Sequence, residues 1–213
     1  MSDALSPAFR IEHDSLGEIG VPAEAYWGAQ TARAIVNFPI SGIPIAHHTQ
    51  LIQALAMVKQ AAALANLSLG ALSRERCDAI VAAAQEIING KWHDQFPVDV
   101  FQGGAGTSTN MNINEVISHR GLELMGLARN ERHVLHPNDH VNLSQSTNDT
   151  YPTSVRLAVL LSVAPLCDAL DRLARSFERK AAATTHIVKL GRTQLQDAVP
   201  MTVGQELGAY AAT

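Results

Sequence analysis

Three short runs in this chain of 213 residues combine glycine or a turn with side chains that donate hydrogen bonds. The first is Gly103-Gly104-Ala105-Gly106-Thr107-Ser108. Its glycines let the backbone approach a ligand closely, and a helix starting after it would aim free N–H groups back at the loop, which favours an anion. The second is Ser144-Gln145-Ser146-Thr147-Asn148-Asp149, where Ser146, Thr147 and Asn148 offer hydroxyl and amide donors just ahead of a long helical pattern. The third is Gly191-Arg192-Thr193-Gln194-Leu195-Gln196-Asp197. Taken singly, each has a plainer reading: a tight turn, a helix cap and a polar hairpin turn. Taken together they supply neutral donors and no nucleophile paired with a base. Such a set suits a small, doubly charged acid held by many hydrogen bonds.

Other chemistries fit poorly. Nine histidines are present, but no His-Glu-x-x-His run or Cys/His cluster; His136 and His140 are four apart with Pro137 between them. No Gly-Lys-Ser/Thr follows the glycine run, and there is no Gly-x-Ser-x-Gly. Basic residues are scattered singly, which excludes a nucleic-acid surface. A net charge of -4, with 46% hydrophobic and 17% charged residues, describes a globular chain able to bury a sizeable core. No unbroken apolar run of membrane-spanning length is read, and the first residues lack the pattern of a signal peptide. These features lead to the expectation of a cytoplasmic protein without membrane contact. Cys77 and Cys167 fall on apolar helical stripes and are expected to be buried thiols.

The elements that must hold the three runs read as mainly helical. An irregular arm is expected over residues 1–20, then a helix from Pro22 to Asn37. A second helix over 48–67 would bury Leu51, Leu55, Val58, Ala62 and Ala65, ending at Gly70. Ser73 caps a third, over 74–89, with Cys77, Ile80, Val81, Ala84, Ile87 and Ile88 inside and Gly90 behind it. A fourth covers 110–125. The longest, over 150–183, spaces Val159, Val163, Leu166, Leu170, Leu173 and Phe177 by fours and threes, a bundle seam with a kink expected near Pro165. A short strand at 187–192, a polar loop and a helix opening at Pro200 complete the reading. Two domains follow: 1–143, a helical domain carrying the first run, and 144–213, the beginning of a helical bundle, expected to be cut short at Thr213. In His136-Pro137-Asn138-Asp139 a turn is expected.

Residues 94–116, DQFPVDVFQGGAGTSTNMNINEV, residues 136–153, HPNDHVNLSQSTNDTYPT, and residues 189–206, KLGRTQLQDAVPMTVGQE, resemble in order the conserved regions of the aspartase/fumarase superfamily. The segment RIEHDSLGEIGVPAEAYWGAQTARAIVNFPISG is similar to that family's N-terminal arm. The DQFPVDV run and the Gln194-Leu195 pair resemble the aspartase branch more than the fumarases. The resemblance implies reversible anti elimination of ammonia from L-aspartate through an aci-carboxylate intermediate; hydration of fumarate to L-malate is the alternative. It implies that Thr107, Ser146 and Thr147 bind the β-carboxylate, that Asn148 and Gln194 lie near the amine, and that Thr193 helps hold the α-carboxylate. It implies a base serine in a Gly-Ser-Ser loop, which these residues do not contain, so no catalytic residue is assigned here. It further implies a homotetramer acting on a small dicarboxylate or amino-acid substrate, with no required cofactor and no metal site, divalent-metal activation being left open. In fumarases, which this stretch resembles, the residues matching His136–Asp139 form a second anion site away from the catalytic centre, and no catalytic role is expected for them here. A non-enzymatic helical scaffold is the rival class, and the donor set at Thr107, Ser146, Thr147 and Asn148 argues against it.

Overall fold

A computed structural model describes residues 8–213. The chain is mainly helical and divides into two compact units, one ending at Val159 and one from Leu160 to Thr213. The first holds a hairpin of β1 (Phe9–Asp14) and β2 (Gly17–Pro22), then α1 (Ala29–Asn37), α2 (Thr49–Ser68), α3 (Arg74–Ile88), α4 (Thr107–Leu124) and the start of α5 (Thr147–Ala183). Its core packs α2 on α3 and α3 on α4, around Ile52, Leu55, Ile80, Ile87, Ile113 and Ile117. The helix ends follow the glycines: Gly70, Gly90 and Gly126 all take the left-handed conformation just past a helix. Ser73 caps α3 by accepting the Arg76 N–H at 3.4 Å.

The start of the chain differs from the expected arm. Residues 1–7 of that arm lie outside the described residues, but Phe9–Asp14 pairs antiparallel with Gly17–Pro22. Side chains impose this order. Arg10 donates to the carbonyls of Pro22, Ala23, Ala25 and Trp27, and Arg33 of α1 clamps the Asp14 carboxylate at 2.7 and 2.9 Å. Pro22 therefore closes a strand and opens no helix. The first helix begins only at Ala29, where Glu115 of α4 accepts the N–H groups of Gly28, Gln30 and Thr31 at 2.8, 2.8 and 3.1 Å. A carboxylate from another helix thus does the work of a local N-cap.

Helix α2 is rotated by about one position from the expected face. Ile52, Leu55, Ala56, Lys59, Ala63 and Asn66 are buried, whereas Ala65 is exposed. Two polar residues on the inner stripe, Lys59 and Asn66, moved the apolar pattern off the true face. Helix α4 starts at Thr107, three residues earlier than expected, and buries a long polar face that includes Thr109, Asn110, Asn112, Asn114 and Glu115.

Helix α5 runs unbroken through Pro165. Its seam residues Val159, Val163, Leu166, Leu170 and Leu173 are 44–58% exposed. Length and composition make α5 long and apolar enough to cross a membrane. The sequence reading passed over this helix because its apolar residues interleave with polar and charged ones and form no unbroken run. Cys167 on this helix is exposed, against expectation, while Cys77 is buried. The expected polar loop after Arg192 is instead the turn of a second hairpin, β3 (Val188–Thr193) with β4 (Gln196–Thr202). Gln194 and Leu195 form its two-residue tip with φ of 49° and 65°. Such a paired left-handed turn matches the twist of antiparallel strands. Pro200 lies in β4, and the last helix, α6 (Val203–Ala212), is opened by a capping box between Thr202 and Gln205.

Because three helix-start donors converge on Glu115, Glu115→Ala is expected to destabilise the protein by about 3 kcal/mol or more. Thermal denaturation reads this, and an unchanged Tm would show that those N–H groups are served by other partners.

Candidate functional site

The start of α4 is held by side chains that precede it. The Asp99 carboxylate accepts the N–H groups of Ser41, Gly42 and Phe101 and the Ser41 hydroxyl, each at 2.8 Å. Burial alone would raise its pKa, but these donors outweigh it and hold the carboxyl at about 2. Gln102 then clasps the first turn of α4: its Oε1 accepts the Thr109 N–H at 2.8 Å, and its Nε2 donates to Thr109 Oγ1 at 2.7 Å and to the Asp99 carbonyl at 3.1 Å. Between these anchors the glycine run turns into the helix. Gly106 has φ of 82°, and a Cβ there would lie 2.4 Å from the Tyr151 ring. Conformation and space both demand glycine at this position.

The start of α5 lies alongside. Ser146 plays the part of the cap, its hydroxyl accepting the Asn148 N–H at 3.2 Å. Thr147 does not cap. Its Oγ1 accepts the side-chain N–H of Asn110, on α4, at 3.0 Å. A cavity of about 310 Å³ is bounded by Gly104, Ala105 and Gly106 on one side and by Asn148, Tyr151 and Pro152 on the other, with Val100 and Gln102 completing it. None of these residues is charged. Thr107 and Ser146 are exposed and Thr147 is half-buried. The first two runs singled out in the sequence are therefore brought together, two helix N-termini side by side, with Asn148 alone of their donors lining the cavity.

Thr193 and Gln194 sit on the second unit, at the exposed tip of the β3–β4 hairpin. The His136–Asp139 stretch forms a turn: Pro137–Val141 is a single wide helical turn, and His136 Nδ1 accepts the N–H groups of Asn138 and Asp139 at 3.2 Å. Among the described residues, no group of three His, Cys, Asp or Glu side chains is placed to hold a metal ion.

Sequence reasoning missed the layer beneath the donors. Lys59 of α2 is fully buried and donates to Asn142 Oδ1 and Gln145 Oε1, both at 2.9 Å. Burial pushes its pKa down to about 7. Asn142 Oδ1 also accepts from the amides of Asn110 and Asn114, each at 3.2 Å. A buried lysine among four amides is not a local pattern; the one signal was a lysine on what would otherwise be the apolar stripe of α2.

Within the first unit the starts of two helices, with their neutral donors, lie side by side, next to a cavity lined by uncharged residues. The chain belongs to the family described as Lyase, which matches residues 17–213. It is 55% identical over its whole length to an aspartate ammonia-lyase of Pseudomonas fluorescens, covering 44% of that protein. It is 56% identical over 207 residues to a class II fumarate hydratase of Halobacterium salinarum, covering 97% of this chain and 43% of that one. In three dimensions it is similar to a crystal structure titled fumarate lyase:delta crystallin from Brucella melitensis, with a TM-score of 0.90 and 55% identity, over 96% of this chain and 48% of that one. The chain thus spans less than half the length of the relatives it matches.

Gly106→Ala joins a strained left-handed residue to a clash with Tyr151, so it is expected to cost about 2–5 kcal/mol. The same variant should move Tyr151 and close the cavity. A normal Tm together with an unmoved Tyr151 in the variant's crystal structure would contradict the tight fit.

Proposed function

We propose that the protein to which this chain belongs catalyses the reversible anti elimination of ammonia from L-aspartate to give fumarate. The observation that carries the reading is that the starts of α4 and α5, which carry Thr107, Ser146, Thr147 and Asn148, are joined through Asn110 beside a cavity lined by uncharged residues, Asn148 among them, in a chain of the Lyase family. Removing a proton from the carbon beside the β-carboxylate places nearly two negative charges on that carboxylate, and ammonia then leaves. Donors fixed in advance stabilise this charge without reorganising. In this reading Thr107, Ser146 and Thr147 face the β-carboxylate, Asn148 and Gln194 face the amine, and Thr193 holds the α-carboxylate. Glutamine at 194 has no useful pKa, so its part is hydrogen bonding and not proton transfer. The base is a serine supplied from outside these 213 residues, and no cofactor is required.

The exposed heptad seam of α5 supports assembly of helices from several copies, and we take the working form to be a homotetramer. The seam's spacing favours helix partners over lipid, because charged residues such as Arg156, Asp168, Asp171 and Arg172 punctuate it.

The similarity to a fumarate hydratase favours a second reading, hydration of fumarate to L-malate. One assay separates the two. The purified whole protein is expected to consume fumarate only when ammonium is present and to release ammonia from L-aspartate. Formation of malate without any dependence on ammonium would overturn the aspartate reading in favour of the second.

Thr147→Ala is expected to lower kcat by about 100- to 1000-fold, since a donor to the doubly charged carboxylate tightens its bond as the proton leaves. Stability should fall by only about 1 kcal/mol, the worth of the lost Asn110 bond, because Ser146 carries the cap. Steady-state kinetics and Tm on one preparation check this; normal kcat with a lowered Tm would make Thr147 a purely structural residue.

A further inference from the structure

The buried lysine lies outside the donor set described above, and what it holds in place can be followed atom by atom. In its protonated form the Lys59 amine has three donors and no acceptor. Lys59 Nζ therefore selects the oxygen of the Asn142 amide and the oxygen of the Gln145 amide, both at 2.9 Å. Both choices are checked independently. Asn142 Nδ2 donates to the Gln145 carbonyl at 3.1 Å, and Gln145 Nε2 donates to the carbonyls of Val141 and Leu143 at 2.9 and 3.1 Å. With Asn142 Oδ1 facing inward, the two amides against it, Asn110 and Asn114, must present nitrogen. The oxygen of Asn110 is then left to accept from the Thr150 hydroxyl at 3.2 Å, a hydrogen it shares with the Ser146 carbonyl at the same distance. Its nitrogen also reaches Thr147 Oγ1 at 3.0 Å. Thr147 thus receives a hydrogen bond from within the protein, and its own hydroxyl hydrogen has to point elsewhere. Among the described residues no protein acceptor takes it, and the side chain is half-buried, not enclosed.

We propose that Lys59 is a positioning residue, which sets the direction of a hydrogen-bond chain through Asn142 and Asn110 and so turns the Thr147 hydroxyl hydrogen outward, as a donor for the substrate carboxylate. The inference rests on the reading of Thr147 given under Proposed function, but the hydroxyl's direction is a property of the protein alone. Remove the lysine and Asn142 Oδ1 loses its strongest partner and Gln145 its side-chain anchor. Only the neutral bonds of their nitrogens then hold these amides; when Asn142 turns to present nitrogen inward, Asn110 presents oxygen to it and to Thr147. The threonine would then donate inward and offer the substrate a lone pair where a hydrogen is needed. Lys59 touches no substrate in this account; it acts through Thr147. Any group that fills the same space without a donor, such as methionine, should keep the fold and lose the direction.

The test uses the whole protein and has two arms. Neutron diffraction on perdeuterated crystals reads the direction itself, whatever the reaction: the deuteron on Thr147 Oγ1 should point away from Asn110, with deuterons of Asn110 Nδ2 on Thr147 and on Asn142. A Thr147 deuteron pointing at Asn110 would overturn the proposal. The kinetic arm compares Lys59→Met, Thr147→Ala and their double variant. Lys59→Met should lose about 100-fold in kcat with KM changed less than about threefold, and the double variant should be no slower than Thr147→Ala alone. Normal kcat in Lys59→Met, or fully additive losses in the double variant, would overturn it as well. If Lys59→Met fails to fold, Asn110→Asp replaces the donor by an acceptor of the same shape. It should match the Thr147→Ala loss although the threonine is intact, and full activity in that variant would sink the idea. Wild-type protein with no turnover of aspartate would end the functional reading, and the neutron result would still decide the inference.

Discussion

One asparagine side chain joins the two helices on which the site depends. Asn110 lies one turn into α4 and bonds to Thr147 at the first residue of α5, while its oxygen takes the hydroxyl of Thr150. Two helix N-termini carry partial positive charge and would repel one another if simply placed side by side. Here a chain of polar side chains fixes their separation, and the glycine run closes over the join because Gly106 lacks a side chain against Tyr151. Everything proposed for the site follows from that fixed pairing: an opening with uncharged walls, beside two helix ends whose free N–H groups make a positive field without a lysine or arginine among the lining residues. Such a setting favours an anion whose charge grows during the reaction over one that is merely bound tightly.

The polar layer under the site has a cost that the rest of the unit offsets. Lys59, Asn66, Asn110 and Asn114 are all buried, and unpaired they would be strongly destabilising. Lys59, Asn66 and Asn110 find acceptors within 3.2 Å, and the Asn114 nitrogen meets Asn142 at the same distance while its oxygen has no hydrogen-bond partner. This layer joins α2, α4 and the loop before α5. The isoleucine and leucine core of α2, α3 and α4 surrounds it and holds the three elements in register. Glu115 extends the same principle to the other end of the unit, holding the start of α1 and through it the β1–β2 hairpin. The fold is thus tied together by a few long-range polar contacts, set into an otherwise ordinary helical core.

The donors themselves were legible in the sequence because their signals are local. Glycine before Thr107, and Ser-Thr-Asn before a long helical pattern, mark helix starts by their own chemistry, and the left-handed glycines after α2, α3 and α4 mark the ends. What could not be read depends on partners distant in sequence. The buried face of α2 is one such case, since Lys59 and Asn66 point inward only because Asn142, Gln145 and Leu143 receive them. The late start of α1 is another, set by Glu115 more than 80 residues away. The β3–β4 hairpin was hidden by its turn, where Gln194-Leu195 stands in place of the usual Asn-Gly or Gly-rich pair. Ser146 and Thr147 show the gain from the structure most clearly. Their residue types suit capping equally well, and only the geometry gives the cap to Ser146 and leaves Thr147 to Asn110.

The most direct test of the account is a crystal structure of the whole protein with succinate, an unreactive dicarboxylate. The account requires one carboxylate at the paired helix starts, within about 3.2 Å of the Thr107, Ser146 and Thr147 hydroxyls. Succinate bound only elsewhere, with the Thr147 hydroxyl hydrogen given to a protein acceptor, would contradict it.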